Sequence, residues 1–280
     1  MAPSITQRRL IRLADRIDRR LGGPMRRGLE AVTKWLGRDL ETVHRVRLDA
    51  AEEDYLTLLP TAGCFIMLLA FPAAPGLQGL GQFHTAIGAQ RRQRLLRFYY
   101  RNLQRHMYAN GATRILLSKN AAFGSWTADL VQWLPSARFL ICIREPHQAL
   151  VSQLKAIESA RVITGARVDA ATLQGLFLDT LSASLEHLSQ TLPGLAPDRY
   201  AVIDMEDLHR DPATVVRAAL ARVGANPDPL LEAHLTTLED SNSAPPMHDL
   251  GILRLDPERM RAQLLPPYQR LLILARQLRP

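Results

Sequence analysis

Lysine is nearly absent from this chain: Lys34, Lys119 and Lys155 are the only three among 35 basic residues in 280. Arginine therefore carries most of the positive charge, with a formal net charge of +8 and an isoelectric point near 10.1. Such an excess suits nucleic acid, an anionic membrane surface or an anionic small ligand. Arginine-rich codon usage accounts for it equally simply. Cysteine is also scarce. Cys64 and Cys142 are the only two, which excludes a disulfide framework and a cysteine-rich zinc site. Both are expected to be small apolar residues, Cys142 inside a core strand and Cys64 in an apolar helix.

Long apolar runs are missing as well. Residues 64–71 are strongly apolar, but Pro72 and Pro75 follow, and a bilayer span needs ~20 such residues. The opening MAPSITQRRLIRLADR has no apolar stretch of the kind a secretory signal needs. The expectation is a soluble cytoplasmic protein. No internal repeat or low-complexity segment occurs. The eight histidines form no metal-ligand spacing, so no metal is expected. No G-x-S-x-G elbow or Cys/His dyad appears. Gly76, Gly79 and Gly81 follow no strand and precede no Gly-Lys-Ser/Thr, so they read as a turn rather than a phosphate cradle.

What the chain does have is a dense stretch over residues 114–152. RILLS is a short apolar run ending in Ser118-Lys119-Asn120. RFLICI is a second one, ending in Arg144-Glu145-Pro146. Trp126, Leu130, Trp133 and Leu134 recur between them at helical spacing, and Pro135 stops that helix. Two continuously apolar strands around a crossover helix predict a parallel sheet covered by helices. Such units close right-handed. Lys119 and Arg144 are thus expected at one carboxyl edge, where open α/β sheets bind ligands. Two cations there imply an anion. Pro146 suits the first turn of a helix. Ser152 lies under two turns further on, within reach of a phosphate gathered at that helix terminus. A back-bond to the carbonyl of Gln148 is the competing role for its hydroxyl. His147 is expected to face solvent.

The remaining chain reads as mostly helical. Residues 4–38 form a basic amphipathic pair broken at Gly22-Gly23-Pro24, more fitting for docking on the protein's own domain than on a membrane. A helix from Asp49 to Phe71 and a Pro/Gly loop over 72–83 are expected next. Ala89 to Ala109 is a long helix in which arginines alternate with Phe98, Tyr99 and Tyr100. That pattern resembles a nucleic-acid platform, but its broad apolar face favours core packing with a solvated basic side. Helices over 169–192, 211–223 and 229–238, a third strand over 199–203, a polar loop over 240–252 and a last helix from Asp256 complete the chain.

These stretches together resemble the bacterial branch of the sulfotransferases that use 3′-phosphoadenylyl sulfate (PAPS). LLSKNAAF…LVQWLPSARFLICIREPHQALVSQL is similar to the family's Lys-Ser/Asn-Pro turn, helix, "FPDARF" strand and Arg-Asp-Pro…Ser. YAVIDMEDLHRDPATVVRAALARVG resembles its Tyr-Glu-Asp-Leu…Asp-Pro strand and helix. HDLGILRLDPERMRAQLLPPYQRL resembles its C-terminal segment, and the acidic EEDYLTLL has a counterpart. The resemblance covers roughly residues 49–275. It implies a helix-rich α/β domain of P-loop-NTPase-like sulfotransferase architecture over 49–280, preceded by a basic helical extension over 1–48. It implies transfer of a sulfuryl group from PAPS to a hydroxyl or amine acceptor. Arg144 and Ser152 would bind the 3′-phosphate, and Lys119 would stand near the transferring group. PAPS is then a co-substrate, and no nucleic-acid partner is expected.

The chain departs from that pattern at several places. The family's 5′-phosphosulfate loop, a strand followed by Arg/Lys-x-Gly-Thr-Thr/Ser, is not found. Without it the donor would be held at one end, and the sheet would be incomplete. A truncated reading frame, a partner chain supplying the loop and a degenerate homologue are the three accounts, truncation being preferred. Asn120-Ala121 replaces Ser/Asn-Pro, and Glu145 replaces Asp. Phe123 stands near where some relatives carry a histidine, so no catalytic base is assigned. The alternative function is a non-catalytic sulfotransferase-fold module that binds a partner through its basic helices.

Overall fold

Two five-residue runs form the sheet of the computed structural model, which describes residues 53–71, 74–111, 115–164, 169–238 and 255–278, together with isolated positions before residue 32. The basic N-terminal helices, the turn at Gly22-Gly23-Pro24, Asp49, Arg114 and the loop at 240–252 lie outside the described residues, or nearly so. β1 (Phe139–Ile143) and β2 (Tyr200–Asp204) pair in parallel, Phe139 opposite Tyr200 and Ile143 opposite Asp204. The expected partner of β1 was the run at 114–118. Residues 115–120 instead have no regular secondary structure, and Ile115 and Leu117 are 93% and 76% exposed. An apolar run alone specifies neither pairing nor burial. Among the described residues the sheet has two strands.

The chain divides into two units. The first comprises residues 1–80, 87–122 and 155–167. Its main helix is α1 (Ala89–Asn110), closed at Gly111, whose φ of 105° suits glycine. Leu95, Leu96, Tyr99 and Leu103 form its buried face, while Arg94, Arg97, Arg101 and Arg105 are exposed. The expected helix up to Phe71 is replaced by a 3₁₀ helix over Asp54–Thr61 and one short turn, Met67–Ala70. Pro60, which lacks an N–H, lies inside the first. Cys64 lies between the two, not in a helix. It is buried, and burial raises its thiol to about 11, so the thiol stays protonated at neutral pH. The Pro/Gly loop is likewise helical in part, over Pro75–Gln78. Arg91 there donates to the carbonyls of Gly76 and Ala62.

The second unit comprises residues 81–86, 123–154 and 168–280. After β1 come α3 (Pro146–Thr164), of which the residues up to 154 belong to this unit, and α4 (Ala170–Thr191); the shorter α2 (Thr127–Trp133) precedes β1. Beyond β2 follow α5 (Met205–Arg210), α6 (Pro212–Arg222), α7 (Pro229–Leu238) and α8 (Pro257–Arg276). Asp169, Asp211 and Asp256 each cap a helix by accepting a backbone N–H. All five β2 residues are buried. Ala201 and Ile203 pack on Ala219 and Val223, and α8 packs on α4 and β2. In register, Leu140 and Cys142 of β1 stand beside Ala201 and Ile203 on that face. They are nonetheless exposed, because the apolar cluster around α6 draws on β2 and not on β1. Cys142 is therefore not the core residue the strand pattern predicts. Phe83 stacks on Trp126 at 3.5 Å, and Trp126 on Phe123 at 4.6 Å, pairs worth about 0.5–1.5 kcal/mol each.

Candidate functional site

Both strands run directly into a helix, and each junction carries an acidic cap. β1 ends at Ile143, Arg144 follows, and Glu145 precedes α3. The Glu145 carboxylate accepts the backbone N–H of Gln148 at 2.8 Å and meets His147 Nδ1 at 2.6 Å. His147 is thus half-buried and partnered, not solvent-facing. At the other junction Asp204 accepts the backbone N–H of Glu206 at 3.1 Å and caps α5. A carboxylate favours the positive end of a helix, so each strand end stabilises the helix it starts.

Arg144 is half-buried just beyond the carboxyl end of β1. Ser152 is half-buried in the second turn of α3. One N–H of that helix terminus, that of Gln148, is already donated to Glu145. Glu145, Asp204 and Glu206 also act together on Tyr268 of α8. Burial first, then these three carboxylates, push its phenol up to about 12. The residues that end or follow the two strands thus include Glu145, Asp204 and Glu206 as well as Arg144.

Lys119 belongs to the first unit, whereas Arg144 and Ser152 belong to the second. It does not end a strand. It lies in the irregular segment 115–120, 63% exposed at its side chain, with Nζ 3.8 Å from Glu53 Oε1. An exposed pair of that length contributes about 0–1 kcal/mol. The residues around it are held more firmly. The Asp54 carboxylate accepts from Tyr99 and Ser118 hydroxyls at 2.6 Å each and from Asn120 Nδ2 at 2.7 Å. Burial and the Asp54 charge raise the Tyr99 phenol strongly.

Two groups of residues escaped the sequence reading. Asp54 lies in the acidic EEDYLTLL stretch, and its partners are 45 to 66 positions away. The second group is His84, Asp129 and His187 in the second unit. His84 Nδ1 lies 2.9 Å from Asp129 Oδ2, and the His84 and His187 rings lie 4.8 Å apart. His187 Nε2 accepts the backbone N–H of Ala128 at 3.1 Å, which requires an unprotonated nitrogen. Burial, then the neighbouring His84, lowers His187 to about 4, with Asp129 opposing. Among the described residues no three His, Cys, Asp or Glu side chains are grouped to hold a metal ion. No helix among them is long and apolar enough to cross a membrane.

Neither a curated protein nor a solved structure is significantly similar to the chain. A family model described as the sulfotransferase family matches residues 68–229. The match takes in α1, the Lys119 segment, the two strands, and the Arg144 and Ser152 positions. It spans more than half of the 280 residues, and the helix-rich architecture with a small parallel sheet agrees with it. On that coverage and that fold, the chain belongs to the sulfotransferase family.

Proposed function

We propose that this protein transfers a sulfuryl group from PAPS to a hydroxyl or amine acceptor. The observation that carries the proposal is the family match over residues 68–229, taken with Arg144 and Ser152 at the β1–α3 junction. In this reading the acceptor oxygen or nitrogen attacks sulfur. The bond from sulfur to the bridging phosphate oxygen breaks, adenosine 3′,5′-bisphosphate leaves, and the acceptor proton passes to a base. Arg144 offers a fork of donors to the 3′-phosphate, and Ser152 adds a hydroxyl. The family resemblance assigns Lys119 the role of offsetting charge on the transferring group. Such transfers depend mostly on positioning and charge stabilisation. Calorimetry with adenosine 3′,5′-bisphosphate tests the reading. Arg144→Ala is expected to weaken binding by about tenfold or more, the scale of a charge-assisted hydrogen bond. Absent binding, or equal binding by the variant, refutes it.

A second reading draws on α1. Its four exposed arginines share a helix that has no acidic residue at all. That surface favours a non-catalytic module binding an anionic partner. The bisphosphate titration separates the two, because the module needs no site for the nucleotide.

A further inference from the structure

The Lys119 segment has one half-buried apolar side chain, Leu116. Its flanking side chains Ile115 and Leu117 stand in solvent, and no helix or strand contains it. Two hydrogen bonds to one buried charge tie it down. Asp54 is 1% exposed, and a carboxylate is buried at that depth only when donors compensate its lost hydration. Ser118 reaches Oδ2 of that carboxylate and Asn120 reaches Oδ1. The segment therefore grips both oxygens, one residue on each side of Lys119. The Asn120 amide is oriented as well. Its Nδ2 donates to Asp54, while its Oδ1 accepts the backbone N–H of Ala122 at 3.1 Å. Glu53, the partner of the Lys119 ammonium, is the chain neighbour of Asp54. One buried charge thus fixes the neighbours of both members of the Glu53–Lys119 pair.

We propose that Asp54 is a positioning residue for Lys119. It holds the Ser118-Lys119-Asn120 turn so that the ammonium has one location. The proposal rests on the reading that Lys119 serves the transferring group. Loss of the anchor then acts through the lysine, and a displacement of ~1 Å in a reacting group costs about a hundredfold in rate.

The three lysines allow a direct test. Competitive acetylation with acetic anhydride, read by mass spectrometry, reports Lys119 against Lys34 and Lys155 in the same 280-residue molecule. Asp54→Asn and Asn120→Ala are expected to change the Lys119 rate by about threefold or more relative to Lys155, because local order governs access. Tyr99→Phe removes a bond to the same carboxylate from α1 and a longer 3.5 Å contact to Ser118 Oγ, but leaves both of the segment's own bonds to Asp54, and is expected to change it far less. PAPS turnover to the bisphosphate, with water as acceptor, is expected to fall in kcat and not to rise in KM for the anchor variants. Should Asp54→Asn fail to fold, Asn120→Ala carries the comparison. Unchanged Lys119 labelling in the anchor variants overturns the proposal, and so does an equal change in Tyr99→Phe, which means general loosening. Altered labelling in a protein that turns over no PAPS supports the anchor and refutes the transfer reading instead.

Discussion

Glu145 accepts the backbone N–H of Gln148 at 2.8 Å, so a carboxylate already occupies the start of α3. An anion arriving at that helix start meets the Glu145 charge. Helix N-termini attract phosphate through free N–H groups and the dipole, and here an internal acid uses part of both. Glu145→Gln keeps an acceptor for Gln148 and removes the charge. Adenosine 3′,5′-bisphosphate is expected to bind roughly two- to fivefold tighter, the range that about 0.3–1 kcal/mol at a helix terminus provides. The gain should shrink as salt is raised. Calorimetry at two ionic strengths checks both statements, and weaker binding by the variant contradicts them.

Tyr268 offers a spectroscopic view of the same edge. Its phenol is pushed to about 12, from an ordinary value near 10, by burial and then by Asp204, Glu145 and Glu206. The folded state holds that proton where the unfolded chain has released it. Its contribution to stability is complete below pH 10 and is lost as pH rises through about 12. Phenolate absorbance of wild type minus Tyr268→Phe should show one late-titrating tyrosine. In the Glu145→Gln background its midpoint should move down.

His187 works in the opposite direction at low pH. Its folded value near 4 lies below the ordinary 6.5, so the unfolded chain binds the proton first. Stability from this group is present above pH 6.5 and is lost as pH falls towards about 4. Denaturant unfolding midpoints should decline over that window, and His187→Gln should decline less. A midpoint near 6.5 for the His187 ring, followed by nuclear magnetic resonance, contradicts the assigned environment.

Close packing around Gly81 makes a further expectation. A β-carbon there would lie 2.4 Å from Thr180 Oγ1 and 2.8 Å from its γ-methyl. Gly81→Ala is expected to cost about 1–3 kcal/mol, the usual penalty of overpacking. The Thr180 hydroxyl is buried and, among the described residues, without a hydrogen-bond partner, so Thr180→Ala removes the obstacle and an unsatisfied group together. The double variant should recover most of the loss in a thermal or denaturant melt. Additive losses mean that the backbone, not Thr180, resists the added carbon.

Local chemistry made much of the chain legible before any fold was known. Asp169, Asp211 and Asp256 mark helix starts, and Gly111 and Gly224 follow helix ends, because caps and left-handed residues act within a few positions. The order around Arg144 and Ser152 was readable for the same reason. The run at 114–118 was misread as a strand because apolar composition describes a tendency to leave water, not a partner. Cys142 was misplaced in the core because alternation along β1 does not reveal which face α6 covers.

The residues themselves determined the helices, the two strands and the arginine–serine spacing that led to the family. These depend on neighbours close in sequence, whose dihedral preferences and side-chain periodicity are local. Only the tertiary structure decided that Asp54 is an anchor, that Glu145 guards the start of α3 and that His187 stays neutral. Each of those facts is set by how deeply a polar group is buried and by what distant segment supplies its hydrogen bond. Burial depth and long-range partners arise when the chain closes on itself, so no window of sequence contains them.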